Sequence, residues 1–456
     1  MKRLTYILLS ICLTGCSGFL NVQPQGMAIP KTDAEFGSIM HRHLQDIEGG
    51  ADDIIVGNME TIARLEGIAD NLDANVMVGS IPAYAGDLIN NRMTDYREYF
   101  SVIKDCNIVI ENLDGRSSEE AGNILSCAYA IKGICYFDMI RDFCEAWDAS
   151  RASSQLGLPL VDRFDIEDRT CRSSLKETAS YAEALLQKSL EIGMSDDLYF
   201  FTEYIVKAYL AKLYFWVEDW ESTQKVCNDI VENSGISLTP LEGYEDMIQS
   251  AKDKKGEVIV RSHINDASEL DWYFGYERSY IRTRPASLAF VSLFGDHPED
   301  DVRYSVSIDG KRFNNKTPEM KIRISELLLM SAEAYCHLGQ EDKSLELLNM
   351  LRRERIRGVQ DYTAASLPAV REGDRIVEDA LGKELTPLMQ AILDERRKEL
   401  FMEGDRWFEL KRNGSPEWWI INNGLKYTVK SYLYTAPVYK GDVDLNPGMK
   451  QNEGYE

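Results

Sequence analysis

Residues 392–414 read ILDERRKELFMEGDRWFELKRNG. Leu393, Leu400 and Trp407 recur every seven positions, with Phe401 and Phe408 beside them, which predicts one long helix with an apolar stripe. The charges follow the same geometry. Glu395, Arg396, Glu399, Glu403, Asp405, Arg406 and Arg412 place opposite signs three and four residues apart, spacings at which side chains pair along a helix or with its neighbours. Dense charge of this kind reads as scaffold rather than active site, and Gly404 leaves room for another chain segment to approach.

Working outward, the same period governs most of the chain. Ile324, Leu327, Leu328, Tyr335 and Leu338 mark one helix; Ile124, Ala128, Ile131, Cys135 and Met139 mark another that ends near Trp147. Ile205, Tyr209, Leu213 and Trp216 form one face of a third, while Val206, Leu210, Tyr214 and Val217 form a second. A helix apolar on most sides belongs in the middle of a bundle. Ala211 then Tyr214, and Ala332 then Tyr335, are each followed by a turn and a second amphipathic run. That is the register of a tetratricopeptide helical hairpin, and Gly133 with Tyr136 gives a weaker copy. The fold class is therefore mainly α.

The N-terminus has a different character. Met1, Lys2 and Arg3 precede an apolar run from Leu4 to Leu13 and then Thr14, Gly15 and Cys16, which reads as a secretory signal peptide of residues 1–15. The run is too short to span a bilayer, which takes about 20 residues as a helix. Without Lys2 and Arg3 the chain carries 49 basic against 75 acidic residues, a formal charge of −26. Such a surface repels nucleic acid and anionic headgroups. Residues 16–30, rich in Gly, Pro and Gln, read as a tether. The seven remaining cysteines show no C-x-x-C spacing, which argues against zinc.

Two insertions interrupt the helical pattern, at 71–92 and 256–317. EVIVRSHI within the second alternates as a short strand. Loops on a rigid scaffold are where binding residues concentrate. No zinc-protease, nucleophile-elbow or phosphate-loop motif occurs, so no catalytic, metal or cofactor set is assigned. Acid pairs such as Asp300 and Asp301 are expected by composition alone. The denser signal is ELDWYFGYERSYIR, where Trp272, Tyr273, Phe274, Tyr276 and Tyr280 stand among charged residues. Sugars stack on such rings while planar polar groups take their hydroxyls. SPEWWIINNG, with Trp418 and Trp419, is a second aromatic spot, weighted toward the core.

Several stretches in order resemble one family: the Leu13–Cys16 lipobox followed by FLNVQPQG, AYAIKGICYFDMIRDF followed by GLPLV, IRISELLLMSAEAYCHLGQEDKSLELLNMLRRERI, the 392–414 segment, and the ending YLYTAPVYKGDVDLNPGMKQNEGY. Together they resemble the SusD/RagB outer-membrane lipoproteins of Bacteroidetes. The resemblance implies lipidation at Cys16 and a single SusD-like domain over 31–456, with parts at about 31–235 and 236–456. It implies tetratricopeptide-type helical pairs as scaffold and a ligand face of loops and short strands. It also implies non-catalytic capture of oligosaccharide at the cell surface, as a lid on a SusC-like TonB-dependent transporter. The expected ligand residues are Trp272, Tyr273 and Tyr276 for stacking, with Tyr84, Asp70, Asn90 and Arg92 as partners. Peptide uptake, as on the RagB side of the family, is an alternative; a lipid-anchored glycoside hydrolase is a third reading, requiring two carboxylates about 5 to 10 Å apart.

Overall fold

The computed structural model describes residues 30–455 apart from 50–53, 58, 75–82, 164, 166, 168, 250–254, 262–280, 282–283, 317, 319–320 and 423. Cys16 and Trp272, Tyr273 and Tyr276 lie outside the described residues.

Helices dominate, as the periodicity predicts. After α1 (Asp33–Gly49) and α2 (Met59–Ile68) come the long α3 (Ile89–Leu113) and α4 (Glu119–Phe143). Ser118 ends the turn between the last two, its hydroxyl accepting from the Ala121 N–H. α4 stops at Phe143, short of Trp147. α5 (Leu175–Ile192) begins at a capping box, in which Ser174 and Glu177 satisfy each other's backbone N–H groups. α6 (Glu203–Trp216) and α7 (Trp220–Asn233) follow, then the short α8 (Tyr244–Gln249), α9 (Leu288–Val291) and α10 (Val302–Ser307). α11 (Ile324–His337) and α12 (Glu341–Arg353) form another hairpin, and α13 (Pro387–Glu399), α14 (Arg406–Arg412) and α15 (Lys440–Leu445) complete the set.

The hairpins share one register. At Gly133 an added Cβ would sit 2.8 Å from Leu186 Cγ, so a glycine is what lets α4 and α5 close. Ser344 seals α12 to α11 by donating to the Ala332 carbonyl at 2.7 Å. Each tyrosine then ties its hairpin to an earlier helix. Tyr214 donates to Glu183 on α5 at 2.8 Å, and Asn228 on α7 donates to Tyr335 at 2.8 Å. α6 is buried through most of its circumference, as its two apolar faces require.

Strands occur in antiparallel pairs: β1 (Leu156–Pro159) with β2 (Arg172–Ser174), β3 (Val258–Arg261) with β4 (Lys321–Arg323), and β5 (Trp418–Asn422) with β6 (Leu425–Val429). The strand expected in EVIVRSHI is β3. Among the described residues no helix is long and apolar enough to cross a membrane.

The single long helix expected over 392–414 is broken. Between α13 and α14 the backbone turns left-handed at Met402 (φ 63°) and Gly404 (φ 78°). A Cβ at Gly404 would meet Ile62 and Leu65 of α2 at an ordinary 3.5 Å. The glycine is thus needed for its backbone angle and not for close approach.

Candidate functional site

The charges of the 392–414 segment are buried; Glu395 with Lys398 and Arg406 with Glu409 pair along their helices, and the rest of the pairing reaches across the fold. Glu399 and Arg323, both 0% exposed, meet at 2.7 Å. Arg323 also reaches Glu257 at 2.9 Å and Glu403 at 2.8 Å. Arg355 bridges Glu257 at 2.9 Å and Glu399 at 3.1 Å, and Arg303 joins Asp301, Glu395 and Glu399. Bidentate guanidinium contacts satisfy carboxylates that burial alone would force to protonate. Asp301, one of the acid pairs, is thereby committed to structure.

This hub anchors the roots of both insertions. Asp70, 7% exposed, accepts from Arg406 Nε at 2.7 Å and lies 3.3 Å from both Arg397 and Arg375. Burial pushes its carboxyl up, but the Arg397 and Arg406 guanidiniums outweigh that and hold it well below the usual carboxylate range. Next to it, Arg397 donates to Asn71 at 2.9 Å. From there the first insertion is stitched to the second. Leu72 bridges Ala286, the Asp73 N–H donates to the Pro285 carbonyl at 2.8 Å, and Ser287 Oγ donates to the Asp70 carbonyl at 2.8 Å. Buried Arg284 reaches the Gly67 carbonyl at 2.9 Å. The two irregular segments therefore share one root, which their separation in sequence does not reveal.

The described members of the expected ligand set divide. Asp70 is interior, as above. Arg92 is also buried, its guanidinium held by Asp142. Neither presents a group to the surface. Asn90 is exposed at the start of α3, and half-buried Tyr84 stands just before it. The Tyr84 ring lies 5.1 Å from Tyr427 of β6, and burial pushes its phenol up.

The β5–β6 hairpin brings in rings whose exposure periodicity could have separated. Trp418, Ile420 and Tyr427 face inward, with Arg375, the partner of Asp70, 4.1 Å over the Trp418 ring. Trp419 faces out, 53% exposed, beside Ile421, with the Lys426 ammonium 4.8 Å from its ring centroid. WWIIN thus alternates as a surface strand must, one tryptophan in the core and one in solvent.

The SusD family profile matches residues 302–455. Among curated proteins, SusD-like protein P38 of Formosa agariphila is 24% identical, over 81% of this chain and 82% of that protein. P25 of the same organism is 18% identical over 99% of both. Among solved structures, a SusD superfamily protein from Bacteroides thetaiotaomicron superposes with a TM-score of 0.69 at 18% identity, covering 92% of this chain and 100% of that one. A SusD-like carbohydrate binding protein from Bacteroides vulgatus gives 0.67 at 15% identity, covering 92% and 98%. Residues 302–455 thus match the SusD family, and the fold of the chain is that of SusD superfamily structures.

The matched segment runs from α10 through the C-terminal tail. It carries most of the hub: Arg303, Arg323, Arg355, Glu395, Glu399 and Glu403 all fall inside it. Asp70, Tyr84 and Asn90 fall outside.

Proposed function

We propose that this chain is a non-catalytic, glycan-binding lipoprotein of the SusD/RagB family, anchored to the outer membrane through Cys16 and handing oligosaccharide to a SusC-like TonB-dependent transporter. The observation that supports it best is the shared root of the two insertions, where residues 70–73 are tied to residues 285–287. Tyr84, Tyr427 and Trp419 supply rings around that stem or on the adjoining hairpin, and Trp272, Tyr273 and Tyr276 are the proposed stacking residues of the second insertion. Asn90 is the proposed polar partner.

The entry of the chain fits this arrangement. Lys31 and Asp33 are held by Arg116 and Ser118, beyond the C-terminal end of α3, whereas Asn90 stands at its N-terminal end. A helix of 25 residues is about 37 Å long. The described chain thus starts at the end of α3 opposite to Asn90.

Calorimetry of the purified chain against plant oligosaccharides, mucin glycans and peptides tests the reading. Glycan binding that falls about two- to tenfold in each of Tyr84→Ala, Trp272→Ala and Tyr276→Ala is the expected result. Peptides binding where glycans do not, or glycans cleaved during incubation, would replace it with the peptide or hydrolase reading.

A further inference from the structure

The α6–α7 and α11–α12 hairpins turn at the same distance from their tyrosines and with the same backbone. Gly339, four residues after Tyr335, has φ 71°; Glu218, four residues after Tyr214, has φ 61°. Left-handed backbone is free to glycine and strained for a residue with a Cβ. The second hairpin shows that glycine serves this turn, so the glutamate is kept at a cost to the fold.

Its side chain lines a cleft of about 610 Å³ together with Trp147, Asp148, Arg151, Asp379 and Arg412. Several of these groups are already engaged. Asp148 accepts from the Ser150 N–H at 2.9 Å and from Arg151 Nε at 2.7 Å. Asp379 accepts the N–H groups of Leu381 and Lys383 at 2.9 Å, and Arg412 Nη2 donates to Glu333 at 2.6 Å. Three groups are left over. The indole N–H of Trp147 and Arg412 Nη1 are buried without a hydrogen-bond partner, on an arginine only 6% exposed. The Glu218 carboxyl makes no hydrogen bond among the described residues. Burial pushes that carboxyl up to about 7, so near neutrality it can both donate and accept.

Two buried donors without partners and one acid, on residues that line one cleft, match ligand groups that donate and accept at once, which are hydroxyls. We propose that this cleft is a second saccharide site, in which Glu218 and the nitrogens of Trp147 and Arg412 grip adjacent hydroxyls of one sugar residue. Its ligand class rests on the glycan-binding reading above, but the cleft shares no residue with the ring-bearing stem. It would hold a glycan at a second point of the scaffold, adding avidity to the first.

The test uses the purified chain, isotope-labelled at tryptophan, titrated with glucose, galactose, mannose and N-acetylglucosamine. The Trp147 indole resonance is assigned through Trp147→Phe. At least one sugar shifts that resonance saturably, and does so equally in Tyr84→Ala. Glu218→Gly melts at a higher temperature than the parent, because the strain is gone, yet binds that sugar about tenfold more weakly. A purely structural role would leave binding unmoved. The proposal is overturned if none of the four sugars moves Trp147, or if Glu218→Gly binds as the parent does. Oligosaccharide binding that survives in such a result would leave the glycan-binding function standing on the ring-bearing stem alone, whereas loss of both would remove both readings.

Discussion

Glu66 and Asp70 lie four residues apart, are both buried, and shift in opposite directions. Asp70 meets three guanidiniums; Glu66 meets only the Asn71 amide at 3.2 Å and the Gly404 N–H at 3.1 Å. Burial therefore wins at Glu66 and pushes its carboxyl up to about 7. An acid whose folded value stands above its unfolded 4.5 binds protons more tightly in the native state. Its contribution to stability is then fully present below 4.5 and is lost as pH rises through 7. Stability measured by urea unfolding should fall over that window, with Glu66 supplying up to roughly 3 kcal/mol of the change. Glu66→Gln should flatten the slope; an unchanged slope would show that the acid is already ionised at low pH. The same contrast explains what the sequence concealed at this scale. Asp70 and Arg92 look like ligand groups beside an insertion because nothing nearby reveals their partners, which are Arg406 and Arg397 more than 300 residues on and Asp142 fifty residues on.

At the scale of elements the pattern was more open to reading, because helical period and hairpin register are local. The tetratricopeptide-like spacing at Ala211, Tyr214, Ala332 and Tyr335 corresponds to hairpins whose tyrosines bond an earlier helix. Gly133 follows the same logic where the copy looked weakest. Placing a β-branched side chain there forces α4 from α5 against Leu186, so Gly133→Val should destabilise by about 1 to 3 kcal/mol, read as a lower urea midpoint with unchanged slope. Gly122, with nothing within 4 Å of its added Cβ, is the control that should tolerate alanine. Periodicity failed where a break costs little in pattern. The apolar stripe of 392–414 continues in phase through the turn at Met402 and Gly404, so the period persists while the helix does not. WWIIN was ambiguous for the opposite reason, since a short strand shows its alternation only once its faces are known.

At the scale of the molecule, the ties that matter join distant parts of the chain. Asp70 pairs with Arg406, Lys411 donates to the Cys144 carbonyl, and Lys212 pairs with Glu326. The tail closes the set. Asn452 Nδ2 donates to the Phe143 carbonyl at 2.9 Å and to the Ala436 carbonyl at 2.6 Å, while its Oδ1 accepts from Arg172 at 2.7 Å. Parts at about 31–235 and 236–456 could unfold separately only if these contacts were peripheral, yet each is buried or half-buried and several carry full charge. Opening one part would strand carboxylates and guanidiniums in the other, at a cost of several kcal/mol per unpaired buried ion. The two parts should therefore melt as one unit, with circular dichroism and tryptophan fluorescence giving coincident urea transitions. Asn452→Ala should shift both curves together by about 1 to 3 kcal/mol, because three hydrogen bonds from one tail residue hold α4 and the β1–β2 region. Two separated transitions, or a shift confined to one probe, would mean that these ties do not couple the two parts.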